Sequence, residues 1–497
     1  MLPRIVVLLL CTFLLVRYMQ DTHDQNVVPR FEATACDFAV PEGYEPECGQ
    51  LIVPEDRSDP DSPTIALGVA IYRSINANPR PDPIVYLIGG PGGSALEYQF
   101  VSFNPRYRQF LNDRDYIIFD QRGAQHSNPS LDCPALFEHY YQWATAGLTN
   151  QELADAQAAA LLDCQTDLLA SGVNVAAYNS AENAADVADL RRALGYDEWN
   201  VFGVSYGVRL ALTLMRDHPA GIRSVILDSV YAPQVDLFME YGTNTAAAFA
   251  HVFDACAGDE ACSSAYPNLQ ADFYDLVAEL NAEPYLVTMT HPISNQEFSV
   301  YVSGEMVVET VFGLMYRRDD IPYIPYLIDD AAFGGEELLM IAAQNFVDTS
   351  FSVSEGLYYS ISCSEEATFT DWDVAYANLE ALPEPIRSLT YLPFVQQVCG
   401  AWTINPPDPV ENEPVVSDIP TLVVNGAFDP ITPPNWAQQT AEALSNAYYY
   451  VFPGTGHGVL RSGDCGLSVM LSFLDDPQQA PDTSCIAEMG EPEWVLP

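Results

Sequence analysis

Three residue types at three places in the chain could together cleave an acyl bond. Ser205 stands in Gly203-Val204-Ser205-Tyr206-Gly207, a G-x-S-x-G pattern between the apolar run Trp199 to Val204 and a helix-like stretch from about Tyr206 to Asp217. A serine on a sharp strand-to-helix turn is left exposed, and glycines beside it make room for the turn. The helix behind it points its positive end at the serine and at any oxyanion formed there. A serine hydroxyl is a weak nucleophile and needs a base. Of seven histidines, six lie in polar or loop settings that read as surface positions. His457 differs, standing in Gly454-Thr-Gly-His457-Gly just past the apolar run Ala447 to Phe452. The base in turn needs an acid to hold its tautomer. Asp429, in Asn425-Gly-Ala-Phe-Asp429-Pro-Ile-Thr-Pro, follows the apolar run Pro420 to Asn425 and is the candidate. Asp228, ending the run Ser224 to Asp228, is the competing acid.

An acyl-transfer intermediate also needs donors for its oxyanion. One is the backbone N–H of Tyr206; the other comes from Gly89-Gly90-Pro91-Gly92-Gly93, where Pro91 has no N–H and Gly90 is the first choice. A phosphate cradle is the competing reading of these glycines. They lack the Lys-Ser/Thr of a P-loop and the spacing of a dinucleotide fingerprint. This chemistry needs no metal and no cofactor.

Several elements must hold these groups together. Ile65 to Tyr72, Pro83 to Ile88, Tyr116 to Asp120 and the four runs above read as strands, and Asn183 to Leu194 as a helix closed by Gly195. Strands alternating with helices predict an α/β class with a mostly parallel central sheet and helices on both faces. The rhythm breaks between about 232 and 405, a helical and aromatic segment with four cysteines. The expected organisation is 1–30 as signal peptide or anchor, 31–231 as the first part of the core, 232–405 as an inserted, mainly helical cap, and 406–497 as the C-terminal core.

Composition narrows the partners. There are 68 acidic and 19 basic residues, a formal net charge of −49, and every basic residue is arginine. Such a chain repels nucleic acid phosphates and anionic membranes. The charge reads first as a solubilising surface, and secondly as a field that draws in cationic peptides. Arg4 and the apolar run Ile5 to Val16 have the length of an export signal and are short for a membrane span. An uncleaved anchor through residues 4–16 is the alternative. Ten cysteines beyond Cys11, with no Cys-x-x-Cys, predict disulfides, most simply between neighbours in order: 36–48, 133–164, 256–262, 363–399 and 465–485.

The chain resembles the proline iminopeptidase and tripeptidyl aminopeptidase group of α/β-hydrolases, serine peptidase family S33. The resemblance lies in Gly89-Gly-Pro-Gly-Gly93, Asp120-Gln-Arg-Gly123, Gly203-Val-Ser-Tyr-Gly207, Asn425-Gly-Ala-Phe-Asp-Pro430 and Gly456-His457-Gly458, and from about 400 the chain is similar to the C-terminal region of secreted tripeptidyl aminopeptidases. Two departures are Ile88, where many relatives have His, and Ala124-Gln-His-Ser after Gly123. The resemblance implies an α/β-hydrolase fold and removal of residues from free peptide N-termini. It also implies cap carboxylates that hold the substrate's amine, here Glu365 and Glu366. Arg122 is expected to brace the oxyanion loop. The expected function is a secreted serine exopeptidase acting through an acyl-enzyme on Ser205. A carboxylesterase or lactone hydrolase on the same triad is the alternative, and a non-catalytic binding protein is the reading from another class.

Overall fold

The computed structural model describes residues 28–102, 105–290, 297–347, 353–387 and 391–497. The apolar run Ile5 to Val16 lies outside them. None of the described helices is long and apolar enough to cross a membrane.

The alternating apolar runs form one nine-stranded sheet. Its strands are β1 (Arg30–Ala33), β2 (Glu47–Pro54), β3 (Thr64–Tyr72), β4 (Ile84–Leu87), β5 (Tyr116–Phe119), β6 (Trp199–Ser205), β7 (Ile222–Val230), β10 (Thr421–Gly426) and β11 (Ala447–Phe452). Their spatial order is β1-β2-β3-β5-β4-β6-β7-β10-β11. Every pair from β5 to β11 is parallel, while β1 to β3 form an antiparallel flank that joins β5. The chain passes from β4 to β5 on one side and then to β6 on the other. The carboxyl ends of β4 and β6 therefore flank a topological switch point, where ligands bind in open parallel sheets.

Period-two side-chain direction gives the sheet two buried faces. Val85, Leu87, Val201 and Val225 enter one core cluster with the helices Ser180–Leu194 and Tyr206–Asp217. Ile84, Tyr86, Phe202 and Ile226 enter another with the helix Asp464–Asp475. The helix predicted from Asn183 begins three residues earlier, because Asn179 caps it by accepting the Glu182 N–H at 2.9 Å. Gly195 ends it at φ 77.

Between β7 and β10 the chain is mainly helical, with its own apolar cluster that includes Phe238, Phe249, Phe273, Val311 and Leu392. It also carries a hairpin the helical reading passed over, β8 (Tyr285–Thr290) against β9 (Glu297–Val302). These strands bury few side chains, so their apolar signal is weak. The five disulfides pair as neighbours in order: Cys36–Cys48, Cys133–Cys164, Cys256–Cys262, Cys363–Cys399 and Cys465–Cys485.

A net charge of −49 on one chain opposes compaction through self-repulsion, which salt screens. The melting temperature is expected to rise as sodium chloride increases from about 0.05 to 1 M, across a Debye length that shrinks from over 10 Å to about 3 Å. A flat or falling curve in differential scanning calorimetry would show that the arginine ion pairs, not the excess acid, dominate the salt response.

Candidate active site

The site is built where β6 turns into the helix Tyr206–Asp217. Ser205 occupies that turn at φ 58 and ψ −125, a left-handed conformation that non-glycine residues rarely adopt. The glycines beside it are required by close backbone approach. A Cβ on Gly207 would lie 1.9 Å from the Leu87 carbonyl, and one on Gly203 would lie 2.3 Å from the Gly207 carbonyl. The helix starts at Tyr206, so its first N–H groups have no partner within the helix and face the turn.

The glycine loop after β4 runs against the serine. A Cβ on Gly89 would come within 2.6 Å of Ser205 Cβ and 3.1 Å of its Oγ. Gly90, at φ 124, lines the same cavity as Ser205. Two side chains from the Asp120-Gln-Arg-Gly123 turn hold this loop. Gln121 donates to the Ile88 carbonyl at 2.9 Å, and Asp120 accepts from Ser94 Oγ at 2.8 Å and from the Leu96 N–H at 3.1 Å. Arg122 does not brace the loop, contrary to the expectation. Its fully buried guanidinium turns the other way, to Asp186 at 2.8 Å and to the carbonyls of Glu55 and Ala177 at 2.6 and 2.8 Å. It ties β2 to the helix Ser180–Leu194.

His457 follows β11 and is buried. Its Nδ1 lies 2.9 Å from Asp429 Oδ2 and 3.1 Å from Oδ1. A carboxylate there makes Nδ1 the donor and leaves Nε2 free to accept a proton. Asp429 also accepts from the N–H groups of Ile431 and Thr432 at 3.2 and 2.9 Å, and from Thr432 Oγ1 at 2.8 Å. Thr432, which sequence reasoning did not single out, therefore fixes the acid while lying 3.1 Å from His457 Nδ1. Gly456 lets the loop close, since a Cβ there would lie 1.9 Å from the Met315 carbonyl. Tyr316 then packs on the imidazole with ring centroids 4.9 Å apart. Among the described residues Ser205 makes no hydrogen bond to His457, a contact that commonly tightens only in the substrate complex.

A cavity of about 250 Å³ opens over Ser205. Tyr231, Tyr241, Tyr316, Tyr358, Tyr391 and Trp436 form its aromatic walls. Burial pushes the hydroxyls of all five tyrosines up, so they remain protonated donors at neutral pH.

Glu365 and Glu366 also line this cavity, but both are already engaged. Glu365 accepts from the Ser180 N–H at 2.5 Å, Ser180 Oγ at 2.7 Å and Arg209 Nε at 3.1 Å. Glu366 pairs with Arg209 Nη1 and accepts the Leu237 N–H at 3.0 Å. Burial pushes Glu366 up to about 7 despite the arginine. The counter-ion for these carboxylates is thus Arg209, on the helix that follows Ser205, which neither composition nor spacing marks as their partner. Glu309 differs from both. It is exposed and has no hydrogen bond or ion pair among the described residues, and its charge raises the pKa of the wall residue Tyr241. Desolvation by neighbouring protein atoms first, and the charge of Glu305 second, push its carboxyl up to about 7.

Arg209→Met is expected to lower stability by about 3–5 kcal/mol, because it strands two buried carboxylates. Glu366 would be driven to a still higher pKa in the folded state, so the folded form would hold more protons than the unfolded one. Stability of the variant must then fall as pH rises from 6 to 8. Urea melts at the two pH values measure this, and a pH-independent loss would contradict it.

Comparison with known proteins agrees with the geometry. A family model described as alpha/beta hydrolase fold matches residues 82–255, and one described as TAP-like protein matches residues 390–485. Serine protease Hip1 of Mycobacterium tuberculosis is 25% identical over 455 residues, covering 84% of this chain and 82% of that protein. Tripeptidyl aminopeptidase of Streptomyces coelicolor is 30% identical over 215 residues, which are 41% of this chain and 38% of that protein. Proline iminopeptidase of Xylella fastidiosa is 29% identical over 163 residues, 32% of this chain and 36% of its own. The chain is therefore a serine hydrolase of the α/β-hydrolase fold, similar to the tripeptidyl aminopeptidases and proline iminopeptidases.

Proposed function

We propose that the protein is a secreted exopeptidase that releases short N-terminal segments from peptides, with Ser205 as nucleophile, His457 as base and Asp429 as its orienting acid. The observation that carries this reading is a cavity with aromatic walls over a strained serine, with the Asp429–His457 pair nearby in the fold. Ser205 Oγ attacks the substrate carbonyl carbon while His457 Nε2 takes its proton. The N–H groups of Gly90 and Tyr206 receive the oxyanion. The C–N bond then breaks, and His457 returns the proton to the leaving amine. Water, deprotonated by His457, attacks the ester and releases the acyl segment as a carboxylic acid, restoring the serine.

Residues 232–405 act in this reading as a cap that closes the cavity over the sheet. Arg209 already neutralises Glu365 and Glu366, so Glu309 is the better ligand for the substrate's ammonium. It stands on the helix Gly304–Leu314, which ends two residues before the wall residue Tyr316. Five disulfides fit an oxidising compartment, and the apolar run Ile5 to Val16 supplies an export signal or an anchor. The second reading is a carboxylesterase or lactone hydrolase, favoured by the aromatic walls of the cavity, which suit an uncharged acyl group.

Hydrolysis of mono-, di- and tripeptide anilides with free and blocked amines, beside a short-chain ester, separates the two. The exopeptidase reading expects cleavage of free-amine anilides, fastest for tripeptides, and its loss in Ser205→Ala. Glu309→Gln should raise KM for those substrates at least about tenfold with kcat little changed, as removal of a ground-state contact does. In the wild type KM should rise as pH falls through 7, because Glu309 gains a proton and loses its hold on the ammonium; the variant should show no such rise. Cleavage of the ester alone would replace the peptidase with the esterase.

A further inference from the structure

The end of β7 carries two polar residues that the reaction above does not use. Asp228 and Ser229 are fully buried, and the backbone N–H groups that their side chains accept belong to the loop that bears His457. Asp228 accepts the Val459 N–H at 2.7 Å on one carboxylate oxygen and the Leu460 N–H at 3.1 Å on the other. Ser229 Oγ accepts the Gly458 N–H at 2.7 Å and lies 3.3 Å from Asp228 Oδ1, to which it donates. These are the three backbone N–H groups that directly follow His457. Val230, next in the strand, donates its N–H to Asn425 Oδ1 at 3.0 Å, and Asn425 Nδ2 donates to the Thr432 carbonyl at 2.8 Å. One strand end therefore holds both the loop of the base and the loop of its acid. The backbone is strained to do so: Ser229 has φ 59, and among the described residues Ser205 is the other non-glycine with positive φ. Strain of this kind persists where surrounding contacts impose it and clusters at functional sites.

We propose that Asp228 is a positioning residue for the reaction, whose ionised carboxylate suspends the His457 loop and keeps the imidazole over Ser205. The inference rests on His457 being the base. Two N–H donors, one on each oxygen, suit a carboxylate better than a carboxylic acid, whose protonated oxygen is a much weaker acceptor. The groups facing Asp228 are His457, Arg461, and the hydroxyls of Tyr86 on β4 and Tyr107 on the helix Pro105–Phe110. Arg461 is itself stacked on Tyr98 at 4.5 Å. Burial outweighs the two N–H donors and the nearby Arg461 and pushes the carboxyl up to about 6. Acidification below that value should thus unhook the loop in a step separate from protonation of the base. The raised value also means that folding favours a neutral side chain here, so a neutral replacement should spare stability while harming rate.

The test is the second-order rate of covalent modification of Ser205 by a dialkyl fluorophosphate, in which Ser205 Oγ displaces fluoride from phosphorus and His457 takes the proton. This probe has no ammonium for Glu309. Glu309 and Glu366, both pushed up to about 7, are already protonated below pH 6. The wild-type log rate should fall with a slope approaching two between about pH 6 and 4.5, reporting two proton uptakes. Asp228→Asn should react at least about tenfold more slowly at pH 8, show a slope of one, and keep its melting temperature within a few degrees. In the same assay Ser205→Ala must take up no label; labelling of that variant would remove the nucleophile assignment itself and not this proposal alone. A wild-type slope of one, or an Asp228→Asn rate within about twofold of wild type, would overturn the positioning role. Should Asp228→Asn fail to fold, the wild-type slope decides alone.

Discussion

The turn at Ser205 sets the terms for everything around it. A strand must end, reverse its backbone sense through φ 58, and restart as a helix within one residue, while the neighbouring strand passes close enough that the Leu87 carbonyl would lie 1.9 Å from any Cβ at position 207. That geometry aligns the first free N–H groups of a helix with the serine and brings the Gly89–Gly93 loop alongside. It is sterically costly, by about 1–3 kcal/mol for one such residue, and is held by the packed strands on both sides. The site lies at the topological switch because this is where the two loops that must meet, after β4 and after β6, emerge side by side.

Charge is handled differently at each depth. On the surface, acid accumulates with few counter-ions and favours solubility. In the interior, the buried arginines are bound to fixed partners. Arg122 ties β2 to a helix, and Arg209 joins the helix that follows Ser205 to Glu365 and Glu366. An ion pair of this kind contributes little net stability compared with an apolar replacement, but breaking it strands a buried charge. It fixes where the segment around Cys363 meets the core.

Much of this was legible in the residues themselves. Ser205, His457 and Asp429 could be singled out because each stands in glycine- or proline-bearing turns directly after an apolar run, a pattern that covalent geometry imposes. The parallel strands were readable for the same reason: strands buried on both faces are written as unbroken apolar runs. What escaped was pairing across long sequence distances. Nothing local says that Glu365 meets Arg209, that Thr432 braces Asp429, or that Arg122 turns away from the oxyanion loop towards Asp186. The hairpin of β8 and β9 escaped because it buries little, so burial leaves no strong period-two signature in it. Glu309 was invisible among 68 acidic residues, since what distinguishes it is its influence on Tyr241, which stands on another helix.

The central claim is that acyl transfer passes through Ser205. Rapid-quench mass spectrometry during turnover of an activated tripeptide ester tests it most directly. The account predicts a transient covalent adduct of the acyl segment's mass, mapped to the peptide containing Ser205, absent in Ser205→Ala and failing to accumulate in His457→Ala. Turnover with no adduct, or an adduct on another residue, would contradict it.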